Sequence, residues 1–219
     1  MPEIWDAVTG EINKNVSWQQ TGGRVLINLA MQPNQSFFIV LDAANKNTEA
    51  GYTMPQTKQI ASINNNWKLQ FDTAFGGPIQ PVQFNKLQSL TASNNDSIKY
   101  YSGTVVYSNQ FNVSGLTPSA KYYLQLDSVY NMAEVIVNGK TCGTLWTYPF
   151  KADISSAMQA GKNNIIIKVV NTWHNRLIYD NTLPAEKRIT WTNAPFRLQN
   201  QSLAPAGLVG NIVLIADMQ

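Results

Sequence analysis

The sequence has one cysteine, one histidine, few charges and no long apolar run. A lone Cys142 leaves no partner for a disulfide within the chain. It falls on an expected strand and reads as a small buried hydrophobe rather than a nucleophile. One cysteine and one histidine supply too few soft ligands for a zinc centre. No stretch reaches the roughly 18 apolar residues of a membrane helix, so no membrane partner is expected. The opening MPEIWDAVTG has neither a basic region nor an apolar core and is not read as a signal peptide. It enters an extended segment at once, so the chain is expected to be a part of a larger protein. Charged residues are 13% of the chain, the net charge is +3, and no Lys/Arg cluster would track phosphates. Nucleic acid is therefore excluded as a partner. What fills the polar positions is Asn, Gln, Ser and Thr, beside 11% aromatics. That is the composition of a β-rich protein of the periplasm or the exterior.

The most informative stretch is Ala133 to Ile154, AEVIVNGKTCGTLWTYPFKADI. The β-branched run Glu134–Val137 stops at Asn138-Gly139, a pair that tolerates positive φ at both central positions of a hairpin turn. A second strand, Thr141 to Trp146, returns, and Tyr148-Pro149-Phe150 turns the chain. Asp153 or Ser155 is placed to cap a helical turn over Ile154–Gln159, closed by Gly161. Asn164 to Val170 follows as an apolar strand.

Upstream, Glu3–Val8, Ile12–Trp18, Arg24–Ala30 and Ser36–Asp42 read as four strands of one small antiparallel unit. About 40 residues of that kind are hardly stable alone. Residues 43–55 read as a linker or long loop. Trp67–Asp72 alternates as a half-buried strand. Ile98–Asn112 is the longest strand signal, and Gly103 within it marks a bulge or the close approach of another backbone. Tyr122–Asp127 alternates again. From Asn171 to Asp180 alternation is lost and a loop or irregular turn is expected. Leu183–Arg188 reads as one helical turn, Ile189–Thr192 as a brief strand, Pro205–Gly210 as a turn and Asn211–Ala216 as the closing strand. The expected fold is all-β: a jelly-roll sandwich over 63–219 preceded by a small antiparallel β unit over 1–62.

The order of these motifs resembles the sugar-binding jelly roll of family 2 glycoside hydrolases, a galactose-binding-like fold. The residues that carry the likeness are Val137-Asn138-Gly139, Gly143, Trp146, Pro149-Phe150, Asp153-Ile154-Ser155, and Gly161 with Asn163 or Asn164. A narrower likeness links the chain to the family 106 glycoside hydrolases, the α-L-rhamnosidases. It rests on PEIWDAVTGEI, SFFIVLD, FGGP, IKYYSGTVVY, NRLIYDNTLPAEKRITWT and PAGLVGNIVL, in that order. The resemblance implies an accessory β-sandwich whose partner is an upstream catalytic domain, with the acid and base on a barrel that this chain lacks. Jelly rolls of this class often hold a structural calcium, but the chain offers no acidic cluster of the DxDxDG kind, and no cofactor is expected.

Glycoside hydrolysis needs two carboxyl groups roughly 5 to 9.5 Å apart. Asp127, Glu134, Asp153, Asp180 and Glu186 are available, yet no motif forces a pair into a cleft, so no catalytic residue is assigned. A carbohydrate site needs an aromatic face and planar polar groups. Trp146, Tyr148, Trp173, His174, Asn175, Arg176 and Asp180 supply these types in two segments, which flank the Asn164–Val170 strand and could meet at one end of the sandwich. The competing reading makes Trp146, Phe150 and Trp173 core residues and lets Arg176 pair with Asp180 to pin its loop. Three functions remain open: an accessory domain of a glycoside hydrolase, an independent carbohydrate-binding module, or a small complete hydrolase.

Overall fold

The computed structural model describes residues 1–29, 31, 33–43 and 56–218. Apart from Ala43, the linker expected over 43–55 lies outside them. The chain divides into two compact units, Met1–Gln56 and Thr57–Gln219.

The first unit holds two small sheets rather than the single one expected. Strand β1 (Pro2–Trp5) lies between β2 (Ile12–Asn13) and β5 (Phe38–Leu41), both antiparallel to it. β3 (Trp18–Thr21) and β4 (Arg24–Ile27) form a separate hairpin around Gly22-Gly23, both at positive φ. Glu3 is buried, receives the Trp5 indole N–H at 2.9 Å and lies 3.5 Å from the Lys14 ammonium.

The second unit is a sandwich of two sheets. Its strands are β6 (Gln56–Ser62), β7 (Trp67–Phe71), β8 (Val82–Phe84), β9 (Thr104–Val113), β10 (Lys121–Tyr130), β11 (Met132–Val137), β12 (Lys140–Leu145), β13 (Lys151–Asp153), β14 (Gly161–Val170) and β15 (Gly207–Met218). One sheet runs β12-β11-β14-β9-β7-β8 and the other β13-β10-β15-β6. β6 thus pairs within the sandwich, and the division falls at 56/57 rather than at 62/63. Alternation explains the layering: Val105, Tyr107, Val135, Val137, Ile165 and Ile167 are buried on every second position, with Leu124, Leu126, Ile212 and Leu214 doing the same in the other sheet. They form one hydrophobic cluster. Trp67 lies fully inside it, its indole N–H donating to the Ile63 carbonyl at 2.9 Å and its ring meeting Tyr107 edge-on. Cys142 is half-buried and packs against this cluster, and burial pushes its thiol pKa up.

The hairpin turn has φ +49° at Asn138 and +80° at Gly139, the backbone that Asn-Gly favours. The Asn138 side chain then ties the turn to β14: its amide N–H donates to Asn163 Oδ1 and its Oδ1 accepts from the Asn164 amide.

Four local expectations are corrected. Ile98–Ser102 is not strand: Asn95 accepts from the Ser97 amide and caps a short helix, α1 (Asp96–Lys99), so β9 starts only at Thr104. At Gly103 the Tyr101 phenol oxygen would lie 2.9 Å from an added Cβ, and the Asn171 main chain approaches as well, its amide donating to the Gly103 carbonyl at 3.3 Å. Ile154–Gln159 makes a turn in which Asp153 accepts from the Ser155 amide and hydroxyl, and Gly161 opens β14 rather than closing a helix. Residues 207–210 are strand, because the glycines admit positive φ where a Cβ at 207 would strike the Tyr107 hydroxyl at 2.3 Å. The expected strand Ile189–Thr192 does not form, since the amides of Ile189 and Thr190 are taken by Asp180.

Candidate functional site

The segment expected as a loop after β14 contains a helix, α2 (His174–Asn181). No side chain caps its N-terminus at Trp173. What holds it is tertiary. Asn171 donates to the Tyr101 carbonyl and accepts from the Gly103 amide, both at 2.8 Å, and the Ser102 hydroxyl donates to the Thr172 carbonyl. Asn175 is 3% exposed and makes a closed pair with Ala204: its amide donates to the carbonyl and its carbonyl accepts from the N–H, each at 2.8 Å.

Arg176 and Asp180 face each other one helical turn apart, with Nη2 2.7 Å from Oδ1 and both side chains buried. The other carboxylate oxygen of Asp180 accepts from the Ile189 amide (3.1 Å), the Thr190 amide (2.8 Å) and the Thr190 hydroxyl (2.6 Å). Burial acts to raise the Asp180 pKa. The Thr190 hydrogen bonds and the Arg176 guanidinium outweigh it and hold the carboxyl below its ordinary range. The guanidinium lies over the Tyr179 ring at 5.3 Å, and Tyr179 stacks on Tyr100 with centroids 4.3 Å apart. The FGGP loop crosses the same group: a Cβ at Gly76 would sit 3.1 Å from Arg176 Nη1.

The seven residues singled out from the sequence therefore divide. Asn175, Arg176 and Asp180 are interior groups engaged with the protein itself. Trp146 and Trp173 are 56% and 42% exposed, not core as the competing reading had them. Tyr148 is half-buried, its ring edge-on to Phe150. His174 is half-buried, with Nε2 3.1 Å from the Ser202 carbonyl. Register brings the two segments to one end of the six-stranded sheet, for Ala133 pairs with both Leu145 and Val169, and Met132 with Val170. Trp146 and Asn171 thus leave the same end with β11 between them.

The carboxylates are dispersed. Asp127 accepts from the backbone and side-chain amides of Asn211, Glu134 pairs with Lys168 at 2.8 Å, Asp153 holds Ser155, and Glu186 is exposed. Among the described residues no three His, Cys, Asp or Glu side chains group as a metal site.

Sequence reasoning passed over a groove beside the C-terminal end of α2, lined by Ile178, Asn181 and Thr182 and by Phe196, Leu198, Gln199, Asn200 and Gln201. The Asn/Gln-rich run QNQ after Phe196 was the available signal.

Comparison with known proteins places these features. The model of the family described as glycosyl hydrolases family 2, sugar binding domain, matches residues 33–197. A putative beta-glucuronidase from Formosa agariphila is 40% identical over 136 residues, which are 61% of this chain and 12% of that protein. The rhamnosidase from Novosphingobium sp. PP1Y superposes with a TM-score of 0.89 at 31% identity, over 99% of this chain and 20% of that one. A beta-glucuronidase from an uncultured Clostridium sp. shares the fold at a TM-score of 0.51 and 17% identity, over 78% of this chain and 30% of that one. The chain thus spans about an eighth to a third of the proteins it matches.

Proposed function

We propose, since the chain belongs to the sugar-binding domain family of the family 2 glycosyl hydrolases, that it is a non-catalytic accessory β-sandwich of a longer glycoside hydrolase. The observation that carries the reading is that nearly the whole chain superposes on a fifth of the rhamnosidase. The interior of the chain supports it. Around α2, charged and amide side chains converge and pair mostly with one another or with the main chain, Arg176 with Asp180, Asn175 with Ala204 and Asp180 with Thr190, while Arg176 Nε is buried without a hydrogen-bond partner. In finer terms the longer protein is α-L-rhamnosidase-like, acts on plant or gut polysaccharides in the periplasm or outside the cell, and keeps its acid and base on another domain. The same reading includes a structural calcium in the sandwich.

The chain alone should release no nitrophenol from nitrophenyl α-L-rhamnoside or β-glucuronide above buffer. Turnover that disappeared in Asp127→Asn or Glu134→Gln would refute the reading. A second reading, an independent carbohydrate-binding module, draws on the exposed rings of Trp146 and Trp173 at one sheet edge.

A further inference from the structure

The groove at the C-terminal end of α2 has a volume of about 320 Å³. That is the lower end of the roughly 300 to 1,000 Å³ of small-molecule sites. Ile178, Phe196 and Leu198 are half-buried and form its apolar part. The lining also includes Asn181, Gln199, Asn200 and Gln201, four residues with planar side-chain amides. None of these four amides makes a side-chain hydrogen bond among the described residues, whereas the Thr182 hydroxyl next to them is spent on the Tyr179 carbonyl. No Lys, Arg, Asp or Glu lines the groove. Asn200 stands at φ +61°, a left-handed backbone that asparagine tolerates.

Each free amide offers an acceptor and two donors side by side, which is what two adjacent hydroxyls require. An aromatic ring such as Phe196 can offer its face to the C–H side of a pyranose ring. With no charge in the lining, nothing would offset the desolvation of a carboxylate or phosphate. From this we infer that the groove is a subsite for a neutral saccharide ring. Two other grooves fit worse. The one beside Asn66 has its Gln110 and Asn164 amides bonded to each other and lacks an aromatic, and the one in the first unit carries Asp6 and Glu11.

The inference rests on the carbohydrate chemistry of the proposed function but is tested apart from it. Nitrogen-labelled chain is titrated with methyl α-L-rhamnopyranoside and, separately, with methyl β-D-glucuronide while amide resonances are followed. Saturable shifts are expected at the side-chain amides of Asn181, Gln199, Asn200 and Gln201 and at backbone amides 196–201, with the neutral glycoside only. Asn200→Gly keeps the left-handed backbone and removes the amide, so it should fold with an unchanged melting temperature and bind about tenfold more weakly. Gln199→Ala, on an exposed side chain, should weaken binding in the same direction. Absence of saturable shifts, shifts centred on Trp146 and Trp173, or equal binding of the glucuronide would overturn the inference. Hydrolysis of the aryl glycosides would instead overturn the accessory reading, whatever happens in this groove.

Discussion

Replacing Asn175 with alanine isolates the anchor that joins α2 to the start of β15. The wild-type side chain closes two hydrogen bonds of 2.8 Å with the Ala204 peptide group from a position 3% exposed. The variant loses both and strands the Ala204 N–H and C=O. A buried group left unsatisfied costs about 1 to 3 kcal/mol. Ala204 itself is only half-buried, so water recovers part of that, and the small void left by the amide adds to it. The sum is about 3 kcal/mol. For a domain of this size 1 kcal/mol moves the midpoint by about 2 to 4 °C, so the melting temperature should fall by about 6 to 12 °C. Differential scanning calorimetry reads the shift. Amide exchange should accelerate over residues 202–206 and in α2 more than in β9 or β14. Asn175→Asp should be worse, because it replaces the donor to Ala204 with a buried carboxylate oxygen facing a carbonyl. A loss below about 0.5 kcal/mol, or exchange that rises evenly through the sandwich, would refute the idea that this peptide pair holds the helix.

Three other outcomes follow from the same structure. Asp180 has a lowered folded pKa, so its contribution to stability is present above the ordinary carboxylate value of about 3.9 and is lost as pH falls through the folded pKa; Asp180→Asn should cost about 3 kcal/mol at pH 7, and thermal melts should show that gap narrowing below about pH 4. Gly139→Val forces a β-branched residue to φ +80° with open space around its Cβ, so the loss should be pure backbone strain of about 1 kcal/mol or more, read by urea unfolding with an unchanged m-value. Gly207→Ala drives a Cβ into the Tyr107 hydroxyl and should destabilise by about 3 kcal/mol, and its near-ultraviolet circular dichroism should change at the tyrosine band.

The sandwich was legible where neighbours in sequence decide the structure. Asn138-Gly139 dictates its own turn, and the Ile/Val alternation of β14 and Leu alternation of β10 follow from burying one face. What was not legible depends on distant partners. α2 has no capping side chain, and its anchors lie 29 residues away at Ala204 and 70 away at Tyr101. Nothing local therefore separates it from a loop. Around Ile98 the opposite happened: the Asn95-Asp96 cap was present, but the β-branched and aromatic run that follows it dominated the pattern. Arg176 and Asp180 could be paired from their spacing of four, whereas Trp146 and Trp173 stood between a sugar-binding reading and a core reading, because large aromatics are usually buried and the strand ends that leave these two exposed cannot be seen in the sequence. The groove at Phe196 needs α2 to be a helix before Asn181 can reach it.

The measurement that bears most directly on whether the polar cluster of α2 is scaffold or binding site is made on Arg176→Ala, by thermal melting and saccharide titration of the same sample. The change leaves Asp180 Oδ1 without its ion-pair partner, while Oδ2 keeps three donors. The scaffold account predicts a loss near the lower end of the 3 to 5 kcal/mol for breaking a buried pair, about 3 kcal/mol, with affinity for methyl α-L-rhamnopyranoside unchanged in the folded fraction. A variant that melted like the wild type but no longer bound the glycoside would contradict it.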